Sequence, residues 1–194
     1  PNNCPSCNSS YIKHFGIGTQ KVAEQVEKYF PGATYLRMDA DTTRKKLSHD
    51  EIIEEFSPHK ADILIGTQMV AKGHDFPLVT LVGVLLADSS LYMGDFRASE
   101  KTFSLLTQVI GRAGRAESGG RAIIQTISPE NDVIRLACRQ DYDSFYEREI
   151  ALRKSLSFPP FCDIALLTLS HRNEQRLFAG AARLAQLLKD AFTE

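Results

Sequence analysis

The string QVIGRAGR at 108–115 gathers the residues of this chain best suited to chemistry. It places Gln108, Arg112 and Arg115 on one short segment, with Gly111 and Gly114 as spacers. Two arginines three residues apart on a helical turn point the same way. A guanidinium stays charged and grips phosphate oxygens with a rigid fork. Glycines beside it remove side chains that would keep a ligand's phosphates at a distance. An arginine offered to a γ-phosphate from a second domain can act as a finger in nucleoside triphosphate hydrolysis. A lone Gly-Arg pair would read as a solvated basic turn, but the segments that follow weigh against that here.

The second informative string is GTQMVAKGHDFP at 66–77. Thr67 and Gln68 supply a hydroxyl and an amide at a strand end, suited to sugar-phosphate contacts. Gly73 permits close approach, and Asp75 can accept a hydrogen bond from a ribose hydroxyl. His74 has no nucleophile or carboxylate partner nearby in sequence and reads as a loop histidine. Taken alone, this segment fits an enzyme loop and a plain turn about equally. GTQ-x-V occurs at 18–22 and again at 66–70, an echo too short to be a repeat.

Four cysteines occur. Cys4-Pro-Ser-Cys7 has the spacing of one zinc knuckle, two thiolates close enough to share a tetrahedral ion. Zinc needs four ligands and no second CxxC exists, so the pair reads as half of a site completed by ligands before residue 1. A redox CxxC should follow a strand and open a helix, whereas Asn and Ser follow here. Cys138 and Cys162 stand alone on apolar-patterned segments and are expected to be buried core thiols.

These residues need a scaffold, and the patterning supplies one. YIKHFGI at 11–17 reads as a short strand, followed by a helix from Thr19 to about Phe30 that Pro31-Gly32 ends. ATYLRM at 33–38 is the next strand, and Thr42-Thr43 can cap a helix running to about Phe56. DILIGT at 62–67 and TLVGVLLA at 80–87 are continuous apolar runs, as expected where helices cover both faces of a parallel sheet. A helix from about Arg97 to Gly111 precedes a strand, RAIIQTI, at 121–127, and one helix over 131–155 closes the unit. Strand and helix alternate, which predicts a doubly wound α/β lobe with ligands beyond the carboxyl ends of its strands. SFPPF at 157–161 cannot continue a helix. After it, CDIALLTLS reads as a strand and 173–193 as an amphipathic helix. About 35 residues are too few for a complete domain.

The expected division is therefore 1–10 as a remnant of a zinc-binding insertion, 11–156 as the lobe, and 157–194 as an incomplete α/β domain. Hydrophobic residues make up 43% and charged residues 24%, an ordinary globular balance. With a net charge of −1, no global basic field draws the chain to nucleic acid, so any polyanion contact must be local. No apolar run approaches a membrane span and no basic-then-apolar leader opens the chain, which makes a cytoplasmic protein the default. PNNCPSC itself reads as the interior of a longer sequence.

Together, GTQMVAKGHDFP and QVIGRAGR resemble motifs V and VI of superfamily 2 helicases, in the right order and at the right separation. That resemblance implies the second RecA-like lobe. CPSC leading into GIGTQKVAEQVEKYFP, then LRMDADTT, DFRASEKTFSLLTQVIGRAGR and SFPPFCDIALL, is similar nearly end to end to the bacterial primosomal replication-restart helicases. The resemblance implies a catalytic set. Arg115 matches the arginine finger, Arg112 stands beside it at the phosphates, and Gln108 lies at the nucleotide edge of the cleft. It puts Gly73 and Asp75 on the ATP side, Thr67 and Gln68 on the DNA side, and Thr19 as a weaker backbone-contact residue. Arg37, Asp39 and Asp41 belong to a family-like segment without an assigned role, for which a structural ion pair is the expected use. Cys4 and Cys7 match the last pair of a two-zinc insertion.

The implied activity of the whole protein is ATP-dependent, 3′-to-5′ unwinding of DNA at stalled forks, with ATP, Mg2+ and Zn2+ as cofactors. Implied partners are forked and single-stranded DNA, single-strand-binding protein, primosome proteins and the replicative helicase loader, with no membrane and a place at the nucleoid. Nothing in 1–194 resembles GxxxxGK[ST] or a DE-x-H string, so this chain alone is expected to show no ATPase. Met93-Gly94 precedes DFRA where the family tends to have a proline. Two rivals remain: a non-catalytic helicase-like module binding forks or proteins, and an RNA or other superfamily 2 helicase. Both arginines argue against the first; CPSC and DFRASE argue against the second.

Overall fold

The computed structural model describes residues 7–9, 18–39, 49–56, 60–68, 70, 76, 78–113 and 120–192. The strand expected at 11–17 lies outside them. The chain divides into two compact units, Pro1–Ala151 and Leu152–Glu194.

In the first unit α1 (Thr19–Tyr29) leads into β1 (Tyr35–Met38), α2 (His49–Phe56) and β2 (Ile63–Gly66). β1 and β2 pair in parallel, Tyr35 opposite Ile63 and Met38 opposite Gly66. Their amino ends are locked by a reciprocal clasp. Thr34 donates from both N–H and Oγ1 to Asp62 Oδ2 at 2.8 Å, and the Asp62 N–H returns a bond to Thr34 Oγ1 at 3.1 Å. α1 and α2 both pack against β1. Ala23, Met38, Ile52 and Ile65 are buried, an apolar interior of the kind the helical and strand spacings lead one to expect. Phe56 meets Phe76 edge to face at 5.3 Å.

β3 (Leu81–Val84), a short 3-10 turn (Ala87–Ser90), α3 (Ala98–Ala113) and β4 (Arg121–Ile124) follow. β3 and β4 also pair in parallel, Leu81 opposite Arg121 and Val84 opposite Ile124. One continuous sheet was expected; among the described residues the strands form two separate two-stranded ladders. The strand expected over 80–87 stops at Val84, and Leu86 adopts a left-handed φ of 54°, which a ladder cannot continue through. Asp88 then pins the turn. It is buried and accepts bonds from Thr126 Oγ1 at 2.7 Å and the Ile127 N–H at 2.9 Å, holding the carboxyl ends of β3 and β4 in one register.

α4 (Asp132–Arg139) and α5 (Tyr142–Ser155) replace the single helix expected over 131–155. Gln140 takes a left-handed φ of 54°, its N–H closing on Ala137 and Leu136 carbonyls and the Asp141 N–H on Leu136. Asp141 Oδ1 then accepts from the Ser144 N–H at 3.1 Å, a fresh amino-terminal cap. The core of this half joins Phe103 and Leu106 of α3 to Ile134 and Ala137 of α4 and Phe145 of α5. Phe103 and Phe145 stack at 4.1 Å.

In the second unit α6 (Glu174–Ala191) is capped by Asn173, whose side chain accepts from the Arg176 N–H at 3.0 Å. The strand expected over 162–170 is not there: the segment has no ladder among the described residues, and Leu166 is 89% exposed. An apolar run becomes a strand only when a neighbour takes up its N–H and C=O groups. Cys138 and Cys162 are not buried either. Cys138 is exposed on α4, because the stripe through Ile134 and Ala137 turns the next position outward. Cys162 is half-buried, its Sγ 2.6 Å from the Ser157 carbonyl. No helix among the described residues is long and apolar enough to cross a membrane.

Candidate functional site

α3 carries the first part of the site, and its start is firmly set. Asp95 accepts from the Arg97 N–H at 2.9 Å, pairs with Lys101, and offers its own carbonyl to the Ala98 N–H at 2.9 Å. The Lys101 ammonium and the Arg97 N–H hold the Asp95 carboxyl well below the usual carboxylate range. Just before it, Gly94 takes a φ of 62°. Proline is locked near −65°, so this loop turns in a way a family proline could not. Inside the helix Thr102 is fully buried, with Oγ1 2.8 Å from the Ala98 carbonyl and 2.9 Å from Ser90 Oγ.

Opposite the buried stripe, Ser104, Gln108 and Arg112 recur every fourth residue and share one face. Gln108 is exposed and donates from Nε2 to Ser104 Oγ at 3.1 Å; Arg112 is half-buried in the last turn. The helix runs on past Gly111, and among the described residues a Cβ at Gly111 would meet nothing within 4 Å. The helix ends at buried Ala113, against which the chain returns at Gly120. A Cβ at Gly120 would stand 1.5 Å from the Ala113 carbonyl oxygen, so only glycine permits this approach. Gly114 and Arg115 lie outside the described residues.

The carboxyl edge of β1–β2 carries the second part. Gly66 lies so close to β1 that a Cβ would stand 2.8 Å from the Met38 carbonyl oxygen and 2.1 Å from Val70 Cγ2. Thr67 and Gln68 follow it and are exposed, with the Thr67 N–H 3.4 Å from the Met38 carbonyl. One residue along, Asp39 is buried. It accepts Arg37 Nη2 at 2.7 Å, the expected ion pair, and Thr19 Oγ1 at 2.5 Å, which the sequence did not announce. Arg37 Nη2 also reaches Thr19 Oγ1 at 3.3 Å. Thr19, Thr67 and Gln68 are thus brought to one edge, while Gln108 and Arg112 stand together on α3. Gly73, His74, Asp75 and Asp41 lie outside the described residues.

Cys7 is exposed, and Cys4 is outside the described residues. No group of three or more His, Cys, Asp or Glu side chains among the described residues can hold a metal ion. Two thiols supply half of a tetrahedral set, so these residues do not complete a zinc site.

Residues 9–117, from the first ladder through the row on α3, match the helicase conserved C-terminal domain. The chain belongs to that family. Its α/β fold with short parallel ladders is the RecA-like lobe that the family builds. It is 50% identical over 189 residues to the replication restart protein PriA of Bacillus subtilis, covering 97% of this chain and 24% of that protein. It is 44% identical over 177 residues to PriA of Synechocystis, covering 91% of the chain and 21% of the relative. With PriA of Chlamydia muridarum the identity is 43% over 188 residues, 96% of the chain and 25% of the relative. The chain therefore spans about a quarter of the length of the curated relatives it matches.

Sequence reasoning missed two carboxylates, Asp88 and Asp95, and one partner of a third, Asp39. Asp39 carried a signal, its i, i+2 spacing from Arg37, but not its tie to Thr19. Asp95 carried one too, standing just before a helix. Asp88 carried none, since its partners Thr126 and Ile127 lie far along the chain.

Proposed function

We propose that this chain is the second motor lobe of an ATP-dependent 3′-to-5′ DNA helicase that recognises stalled or branched replication forks and initiates primosome assembly. The observation that carries this is the face of α3 on which Gln108 and Arg112 stand, at the end of the helix where GRAGR (111–115) begins. Arg115 is the finger aimed at a γ-phosphate held by another lobe, with Arg112 at the phosphates and Gln108 at the cleft's edge. Gly73 and Asp75 face the nucleotide. Thr67 and Gln68 grip one DNA strand. Thr19 serves that strand through its backbone, because its hydroxyl already bonds Asp39.

ATP with Mg2+ is held by the lobe bearing the phosphate loop, and supplies the energy for closure of the two lobes. Cys4 and Cys7 contribute half of a zinc site, with further cysteines from elsewhere in the protein. Partners are forked and single-stranded DNA, single-strand-binding protein, primosome proteins and the loader of the replicative helicase, in the cytoplasm at the nucleoid. Division of the chain into 1–10, 11–156 and 157–194 follows the same reading. Unwinding by the full-length protein tests it: forked DNA with a 3′ tail should open in the presence of ATP and duplex RNA should not. Binding of forks without unwinding would favour a non-catalytic module instead.

A further inference from the structure

The two GTQ turns converge on one point of the fold, the carboxyl end of β1. Thr67 reaches it through its N–H on the Met38 carbonyl, and Thr19 through its hydroxyl on Asp39 Oδ2. Arg37 lies on β1 and Asp39 immediately follows that strand, the two paired at 2.7 Å, and Thr19 ties that pair to a second element, α1. A hydroxyl has one proton to give. Thr19 gives it to Asp39 and receives Arg37 Nη2, so turning the hydroxyl to a phosphate would break a charge-assisted bond. The first bond closing α1 runs from the Val22 N–H to the Gly18 carbonyl at 3.2 Å, so the N–H groups of Thr19, Gln20 and Lys21 precede it.

We propose that Asp39 is a positioning residue for the DNA-side edge. Its carboxylate holds Thr19 and Arg37 so that the first turn of α1 stands in fixed register with Thr67 and Gln68, and a DNA strand meets both GTQ turns as one surface. The inference rests on the reading of this chain as a motor lobe that grips DNA. Asp39 acts on the strand through Thr19 and does not touch the reacting phosphate.

Titration of a single-stranded oligodeoxythymidylate against the ATPase of the full-length protein tests this. In D39A and in T19V the half-saturating oligonucleotide concentration should rise about tenfold, with kcat at saturation within about twofold of wild type. T19S keeps the hydroxyl and should restore near-wild-type half-saturation. The D39A/T19V double variant should be no worse than either single one, because both cut the same link. If D39A does not fold, T19V and T19S carry the test. A loss of kcat together with a lowered melting temperature in T19V, at unchanged half-saturation, would make the cluster a folding device only and overturn the inference. Unchanged half-saturation in D39A and T19V, with wild type normally stimulated, sinks the inference alone. A wild-type protein that DNA does not stimulate at all sinks the motor-lobe reading, and the inference with it.

Discussion

Asp88 shows what one buried carboxylate does here. Burial pushes its pKa up, but the Thr126 hydroxyl and the N–H groups of Ile127 and its neighbours outweigh that and leave it below the ordinary 3.8. Its folded-state pKa is therefore depressed, so its contribution to stability is present above the ordinary carboxylate range and is lost as pH falls through the folded value. Melting temperature followed from about pH 6 to about pH 2 should drop in acid for wild type and less steeply for D88N. At neutral pH, D88A leaves the part-buried Thr126 hydroxyl and Ile127 N–H without their acceptor and should cost about 1 kcal/mol, read by denaturant unfolding. Sequence alone led one to expect an ion pair among Arg37, Asp39 and Asp41, and Arg37 and Asp39 form it. It could not mark Asp88, whose meaning depends on a strand pairing that brings β4 alongside β3.

At the scale of elements, α3 is held at both ends and along its middle. Phe103 stacks on Phe145, so F103A should cost about 3–5 kcal/mol in unfolding experiments. Gly120 touches the Ala113 carbonyl so closely that G120A must move backbone, and it should destabilise the unit by about 2 kcal/mol or more. Most elements were legible. Apolar runs marked β2, β3 and β4, and helical spacing marked α1, α3 and α6, because burial on one face or two leaves a period in the sequence. The break between α4 and α5 was missed although Asp141 and Ser144 carry a capping signal, since the apolar pattern runs through it. The run over 162–170 looked like a strand because hydropathy records apolarity and not whether a partner exists.

Across the whole molecule, a net charge of −1 excludes a diffuse basic surface, so any grip on DNA must be local, as the proposed one at Thr19, Thr67 and Gln68 is. The candidate site was legible in part. Gln108 and Arg112 stand four apart on one face of α3, while the expected alignment of Arg112 with Arg115 falls outside the described residues and the tie between Thr19 and Asp39 needed a folded chain to bring distant residues together. A 194-residue chain without a phosphate loop should release no phosphate from ATP above background, with or without DNA, in a steady-state assay. The central claim is that Arg115 is delivered to a triphosphate held by another lobe. The most direct measurement is ATP hydrolysis by the full-length protein carrying Arg115→Ala, on forked DNA at saturating ATP. The account predicts a fall of roughly a thousandfold with DNA binding retained, and hydrolysis at the wild-type rate would contradict it.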